Sequence, residues 1–285
     1  MNVPQRIAIN FYKTKINALA VISTHKAAEF AFKIFCTPYS GKPFREAPTI
    51  FQKAASISLK FQDLMVRGWH WQPTNDNGKK ILISHGFDSY SYRFEKYIQP
   101  LLTAGFQVYA FDAPAHGTSD GKITNALQYS EVMLAINNTY GAFYGIMGHS
   151  FGGQAAAIAA ENLPNLQKLV LIAPAVETTT AIDGFIKFLG LSNDIKEALT
   201  QYIINYSKKP IAYFATSTAI KKFKTPTLWL HDTEDAICTF EDVKPVVAMN
   251  LQHVAFYITT GLGHSKIYRE PKTIDTILDF FINNG

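Results

Sequence analysis

Cysteine is nearly missing from this chain. The two present, Cys36 and Cys238, cannot build a disulfide framework across 285 residues, and they read as free thiols in a reducing compartment. No CxxC or HExxH pairing occurs, so the eight histidines form no metal-ligand pattern. GxxxxGKS, GxxxxGKT and GxGxxG are absent too, which removes the two common phosphate cradles. Arginine is scarce at five residues, the net charge of +5 is modest, and the basic residues are spread rather than striped. Nothing therefore argues for a nucleic-acid partner. No apolar run reaches the roughly 18 to 20 uncharged residues of a membrane span. The run Ile16 to Ser23, behind Arg6, Lys13 and Lys15, imitates a signal peptide. It is short, contains Asn17, and ends at His25 and Lys26 without a cleavage site, so the expectation is a cytoplasmic protein.

What the chain does have is apolar mass. At 47% hydrophobic and 17% charged residues it can bury a sizeable core, as one large domain or a domain with an inserted cap. Residues 1–50 read as a helical arm. Ile16 to Phe35 is the candidate amphipathic helix, stopped by Thr37-Pro38 and the turn-rich Ser40-Gly41-Lys42-Pro43. An arm packed on the main body is preferred here over a membrane-surface or partner helix. From Ser56 the rhythm changes. Ser56 to Phe61 and Leu64 to Trp71 read as two strands about a turn. Short apolar runs follow at Ile81 to Ser84, Phe106 to Phe111, Ala142 to Met147, Lys168 to Ile172, Thr227 to Leu230 and Val254 to Ile258. Runs without alternation suit strands buried on both faces of a parallel sheet. Helical stretches between them (Phe94 to Ala104, Ala126 to Asn137, Gln154 to Asn162, Pro271 to Asn284) predict a doubly wound, mostly parallel α/β fold. The core is expected over 51–175 and 225–285. Residues 176–224 exceed an ordinary crossover and read as a helical cap.

In open α/β sheets ligands bind beyond the carboxyl ends of the strands, and the chemistry-bearing residues of this sequence follow the apolar runs. Gly148-His149-Ser150-Phe151-Gly152 fits G-x-S-x-G between a strand and a small-residue helix, the setting of a nucleophile elbow. The sharp turn pushes the Ser150 hydroxyl above the sheet, and the glycines remove side chains that would collide there. Serine needs a base, and the base needs a carboxylate to hold its tautomer. His264, after the last strand, is the candidate base; His116 and His253 lack that placement. His231-Asp232-Thr233-Glu234-Asp235 ends the Leu228 strand and offers three acids, with Asp235 preferred and Asp232 and Glu234 left open. Developing charge on a carbonyl oxygen calls for two preorganised donors, the backbone N–H of Phe151 and that of Phe87 behind Gly86.

His85-Gly86-Phe87, Asp112 to Ser119, Gly148 to Gly153, His231 to Asp235 and Gly261 to His264 together resemble the α/β-hydrolase superfamily, in its branch of small serine hydrolases with a helical cap. The resemblance covers about residues 55–285. It implies that Asp235 is the acid of the H-G-x-x-D motif and that the 176–224 insertion caps the active site. The chain departs from the pattern at Asp232, Cys238 and Ala115, and residues 1–50 inherit nothing from it. The expectation is an esterase or thioesterase working through Ser150, His264 and Asp235, with no metal or organic cofactor. Its partner would be a small-molecule acyl substrate, and the protein a monomer or homodimer. Peptidase, lactonase or perhydrolase chemistry fits the same residues, whereas Ser150 in place of aspartate speaks against dehalogenase and epoxide hydrolase chemistry. A non-catalytic ligand-binding module is the alternative from another class. Phe185, Phe188, Tyr202, Tyr206, Tyr213 and Phe214 either line an acyl pocket or pack the cap.

Overall fold

The computed structural model describes residues 3–39 and 46–283; Ser40-Gly41-Lys42-Pro43 lies outside the described residues. In chain order the elements begin with α1 (Val3–Ile22), α2 (Thr24–Phe35), α3 (Thr49–Gln52), β1 (Ala55–Phe61), β2 (Leu64–Trp71) and β3 (Lys80–Ser84). They continue with α4 (Glu95–Thr103), β4 (Gln107–Phe111), α5 (Ala126–Tyr140), β5 (Gly145–His149), α6 (Phe151–Ala160) and β6 (Lys168–Ile172). Next come α7 (Thr178–Leu189), α8 (Asn193–Ser207), α9 (Thr216–Ala219) and β7 (Thr227–Asp232). The chain closes with α10 (Phe240–Ala248), β8 (Val254–Thr259), α11 (Gly263–Lys266) and α12 (Pro271–Ile282). No helix of the described residues is long and apolar enough to cross a membrane.

Two compact units divide the chain: residues 38–176 with 216–285, and residues 1–37 with 177–215. The first holds one eight-stranded sheet of order β1-β2-β4-β3-β5-β6-β7-β8. β2 pairs antiparallel with β1 and β4, and every other pairing is parallel. The apolar runs follow from that position. β6 and β7 are buried along their whole length, so both faces demand apolar side chains, while β1 at one edge is exposed or half-buried throughout. Ile81, Ile83, Met147, Val170 and Leu230 meet Tyr97, Ile98 and Leu101 of α4 and Ile277 and Phe281 of α12 in one core cluster. α12 starts sharply because Pro271 occupies its first turn and the Glu270 carboxylate accepts the Thr273 amide at 2.6 Å. β5 begins at Gly145 rather than Ala142 and runs on to His149. Polar or not, Gly148 and His149 stay buried because their pairing with Leu171 and Ile172 continues.

The second unit is helical. The single helix expected over Ile16 to Phe35 is in fact two, because Ser23 is extended (φ −162°) and its hydroxyl caps α2 by accepting the Lys26 amide. α2 packs on α8, with Phe32 against the rings of Tyr202 and Tyr206 at 5.4 and 5.1 Å; Phe35 meets Phe185 of α7 at 5.3 Å. Residues 1–37 thus share one apolar interior with 177–215, while α9 and the chain up to Lys224 belong with the sheet.

Candidate active site

The turn between β5 and α6 fits almost no space. Ser150 sits at φ 54° and ψ −121°, a conformation that L side chains rarely adopt. Its backbone is held there by three bonds: its N–H to Ile172 O, and its own carbonyl taking the amides of Gln154 and Ala175. A Cβ on Gly148 would lie 2.6 Å from Gly152 O, and one on Gly152 would lie 2.4 Å from His85 O, so these positions exclude any side chain.

Behind the serine, Asp235 and His264 are joined. The Nδ1–H of His264 donates to Asp235 Oδ2 at 2.7 Å, with the carboxylate fully buried and the imidazole slightly open. Asp235 Oδ1 accepts the amides of Ile237 and Cys238, both at 2.8 Å. Burial alone would raise this carboxyl. The bond to His264, its charge and the two amides outweigh burial and hold the pKa below the usual aspartate value. The two other acids of the run stand elsewhere. Asp232 takes the Glu234 amide on one oxygen and Thr259 Oγ1 and the Leu262 amide on the other, which ties the end of β7 to the loop leading to His264. Glu234 is exposed.

His149 connects the serine turn to His264. Its Nε2–H donates to the carbonyl of His264 at 3.0 Å, and the two rings lie 4.8 Å apart. Burial, with the neighbouring His264, depresses its pKa to about 3, so it stays neutral with the proton on Nε2. Cys238 lies between Asp235 and Ser150. Its amide binds Asp235, its carbonyl accepts from His231 Nε2 at 2.7 Å, and its thiol is hydrogen-bonded by Ser150. Burial raises that thiol far above the ordinary cysteine range, so it is no competing nucleophile. Trp229 Nε1–H donates to His231 Nδ1 and thereby sets the tautomer that reaches Cys238.

On the other side of the serine, Gly86 approaches so closely that a Cβ there would lie 3.1 Å from Ser150 Cβ. The rings of Phe87 and Phe151 meet edge-on at 5.4 Å, so the two residues proposed to supply amide donors are neighbours. Two buried histidines clamp this loop. His85 Nε2 accepts the Ala113 amide, which leaves the proton on Nδ1 to bind Gly86 O at 2.8 Å. A trans peptide directs its N–H opposite to its C=O, so that bond turns the Phe87 N–H away from His85. His116 Nε2 accepts the amide of Asp88 (φ 57°), and its Nδ1–H binds Pro114 O. Burial lowers His116 to about 4 and lowers His85 as well, which keeps both as acceptors. Asp112 anchors the far side, its oxygens taken by Ser91 and Thr118. Sequence reasoning placed His149 in the nucleophile elbow without its bond to His264, and assigned no role to His116 or Cys238. The signal available was their place, each within three residues of a motif that carries chemistry. Among the described residues no group of His, Cys, Asp or Glu is placed to hold a metal ion.

A family model described as serine aminopeptidase, S33, matches residues 75–210. The chain is 25% identical over 209 residues to a monoglyceride lipase homolog of monkeypox virus, a match covering 59% of this chain and 75% of that protein. It is 30% identical over 115 residues to the monoacylglycerol lipase of Mycolicibacterium smegmatis, which covers 37% of this chain and 41% of the lipase. Among solved structures, an esterase of Pyrococcus furiosus superposes with a TM-score of 0.63 at 18% identity, over 84% of this chain and 96% of the esterase. From its sheet order and these likenesses, the chain has the α/β-hydrolase fold, and residues 75–210 are similar to the serine aminopeptidase, S33, family.

Proposed function

We propose that the protein hydrolyses carboxylic esters or thioesters through Ser150, His264 and Asp235. The observation that carries this reading is the 2.7 Å bond from His264 Nδ1–H to buried Asp235, one residue-to-residue contact away from a serine at φ 54°. Asp235 fixes the proton on Nδ1, which leaves Nε2 as the base. Ser150 Oγ attacks the acyl carbon while Nε2 takes its proton. The carbonyl π-pair moves onto oxygen, where the amides of Phe87 and Phe151 receive it. As the C–O or C–S bond breaks, His264 returns the proton to the leaving alcohol or thiol. Water then repeats the sequence on the acyl-enzyme and releases the acid. Relatives named for monoacylglycerol hydrolysis make fatty acyl esters of glycerol the first substrates to assay. The S33 description favours a second reading, hydrolysis of an N-terminal peptide bond, and an aminoacyl amide belongs in the same screen. Labelling with a fluorophosphonate followed by peptide mapping tests the nucleophile. One stoichiometric adduct on Ser150 is expected, and an unlabelled Ser150 in folded protein would refute the reading.

A further inference from the structure

Helix α1 is apolar on two sides. Ile16 is completely buried on the side that packs on α2, with Tyr12 near Phe30. On the opposite side Ile7 is 65% exposed, Phe11 57%, Val21 90% and Ile22 76%, with exposed Thr14 and Ala18 between them. Spacings of four and seven residues put these six on one stripe of a 3.6-residue helix. Arg6 flanks it on one side and Lys15 on the other, and both are exposed. Basic residues occur along the whole chain, but acidic ones do not: none precedes Glu29. Arg6, Lys13, Lys15 and Lys26 therefore concentrate four of the five units of net positive charge in the first 28 residues.

We infer that α1 lies on the surface of an anionic lipid bilayer, with the Ile7–Ile22 stripe sunk among the acyl chains and the flanking cations at the headgroups. An interfacial helix needs these features together: an apolar face that the protein leaves open, long cationic side chains beside it that can reach up to headgroups, and no carboxylate to be repelled. A second copy of the chain fits the stripe poorly. Pairing two such helices would set like charges side by side, with no acid in the segment to offset them. The inference is independent of the ester-hydrolase reading, since it rests on α1 alone.

Flotation of the full chain with vesicles tests it, using phosphatidylcholine alone and an equimolar mixture with phosphatidylglycerol. The protein should float with the mixed vesicles, bind phosphatidylcholine weakly, and lose affinity as salt rises. Replacing Arg6, Lys13 and Lys15 by glutamine should weaken binding to the mixed vesicles by about a hundredfold, at roughly fivefold per cation. Ile7→Ser with Phe11→Ser and Val21→Ser should weaken it by at least about a hundredfold on either vesicle. Because these side chains face solvent, the helical circular dichroism should be unchanged. Should that variant lose its helicity, Phe11→Trp gives a second reading: its emission should shift to the blue and be quenched by brominated lipid on mixed vesicles. Wild type that stays in the aqueous phase with mixed vesicles overturns the inference, as does a Ser variant that stays folded and floats as well as wild type. A concentration-dependent dimer that the Ser variant abolishes, without flotation of the wild type, would assign the stripe to a second copy instead.

Discussion

Replacing Asp235 by asparagine tests the catalytic reading at a single atom. Asparagine has the same shape but offers one oxygen and one NH2 group. Position Oδ1 faces two donors, the amides of Ile237 and Cys238, each at 2.8 Å. The asparagine oxygen must stay there, because a flipped amide would set NH2 against two N–H groups. Its NH2 then occupies the place of Oδ2 and points at His264 Nδ1 from 2.7 Å. Nδ1 must accept, which moves the imidazole proton to Nε2 and leaves no lone pair for the Ser150 proton. Ser150 remains in place but loses its base. kcat should fall about 10⁴-fold, equivalent to roughly 5.5 kcal/mol in the barrier. Initial rates on a chromogenic acyl ester at neutral pH measure this, with urea unfolding as the control for stability. A fall of less than tenfold in a folded variant would mean that Asp235 does not set the tautomer, and the mechanism would have to be abandoned.

Ser150→Ala should lower kcat by at least about 10⁴-fold while leaving the melting temperature near that of wild type, since the strained backbone gains nothing it needs from the hydroxyl. Gly152→Ala would place a methyl 2.4 Å from His85 O and 2.7 Å from Ser84 O, both backbone atoms. A loss of about 3 kcal/mol, read as a fall of roughly 6–12 °C in Tm, is expected. Acid should destabilise the fold well before the carboxylates titrate. His149 is held near 3 and His116 near 4, mainly by burial, against about 6.5 for an ordinary histidine. Between these values the unfolded chain binds more protons, so stability is complete above pH 6.5 and falls as pH drops. The two together account for a loss of about 6 kcal/mol by pH 4, with Asp235 acting in the same direction. Equal urea midpoints at pH 7 and pH 4.5 would contradict this.

The strands were legible because parallel strands covered on both faces carry unbroken apolar runs, as Leu169 to Ile172 and Leu228 to Leu230 do. Their ends were less so. Gly148 and His149 carry no apolar signal, yet pairing with β6 extends the strand through them. The break at Ser23 also escaped the pattern, since apolar residues recur on either side and only the capping hydroxyl marks the stop. At the site, Ser150 stood out through its glycines and His264 through its place after the last strand. The choice among Asp232, Glu234 and Asp235 rested on partners 27 to 30 positions away in the sequence, Thr259 and Leu262 for Asp232 and His264 for Asp235. Local spacing does not contain that information. The same holds for His116, whose partner is the amide of Asp88 across the β3 and β4 loops.

The helical unit has a consequence during synthesis. Phe32 finds its aromatic neighbours Tyr202 and Tyr206 only after some 170 further residues have been added. At ribosomal speeds of about 5–20 residues per second, α1 and α2 wait roughly 10–35 s with Ala27, Ala31 and Phe32 uncovered. The sheet strands, whose partners emerge sooner, can pair in that interval. A segment translated ahead of the sheet is thus among the last to find its place, and over those seconds the nascent chain presents a greasy helical hairpin to chaperones.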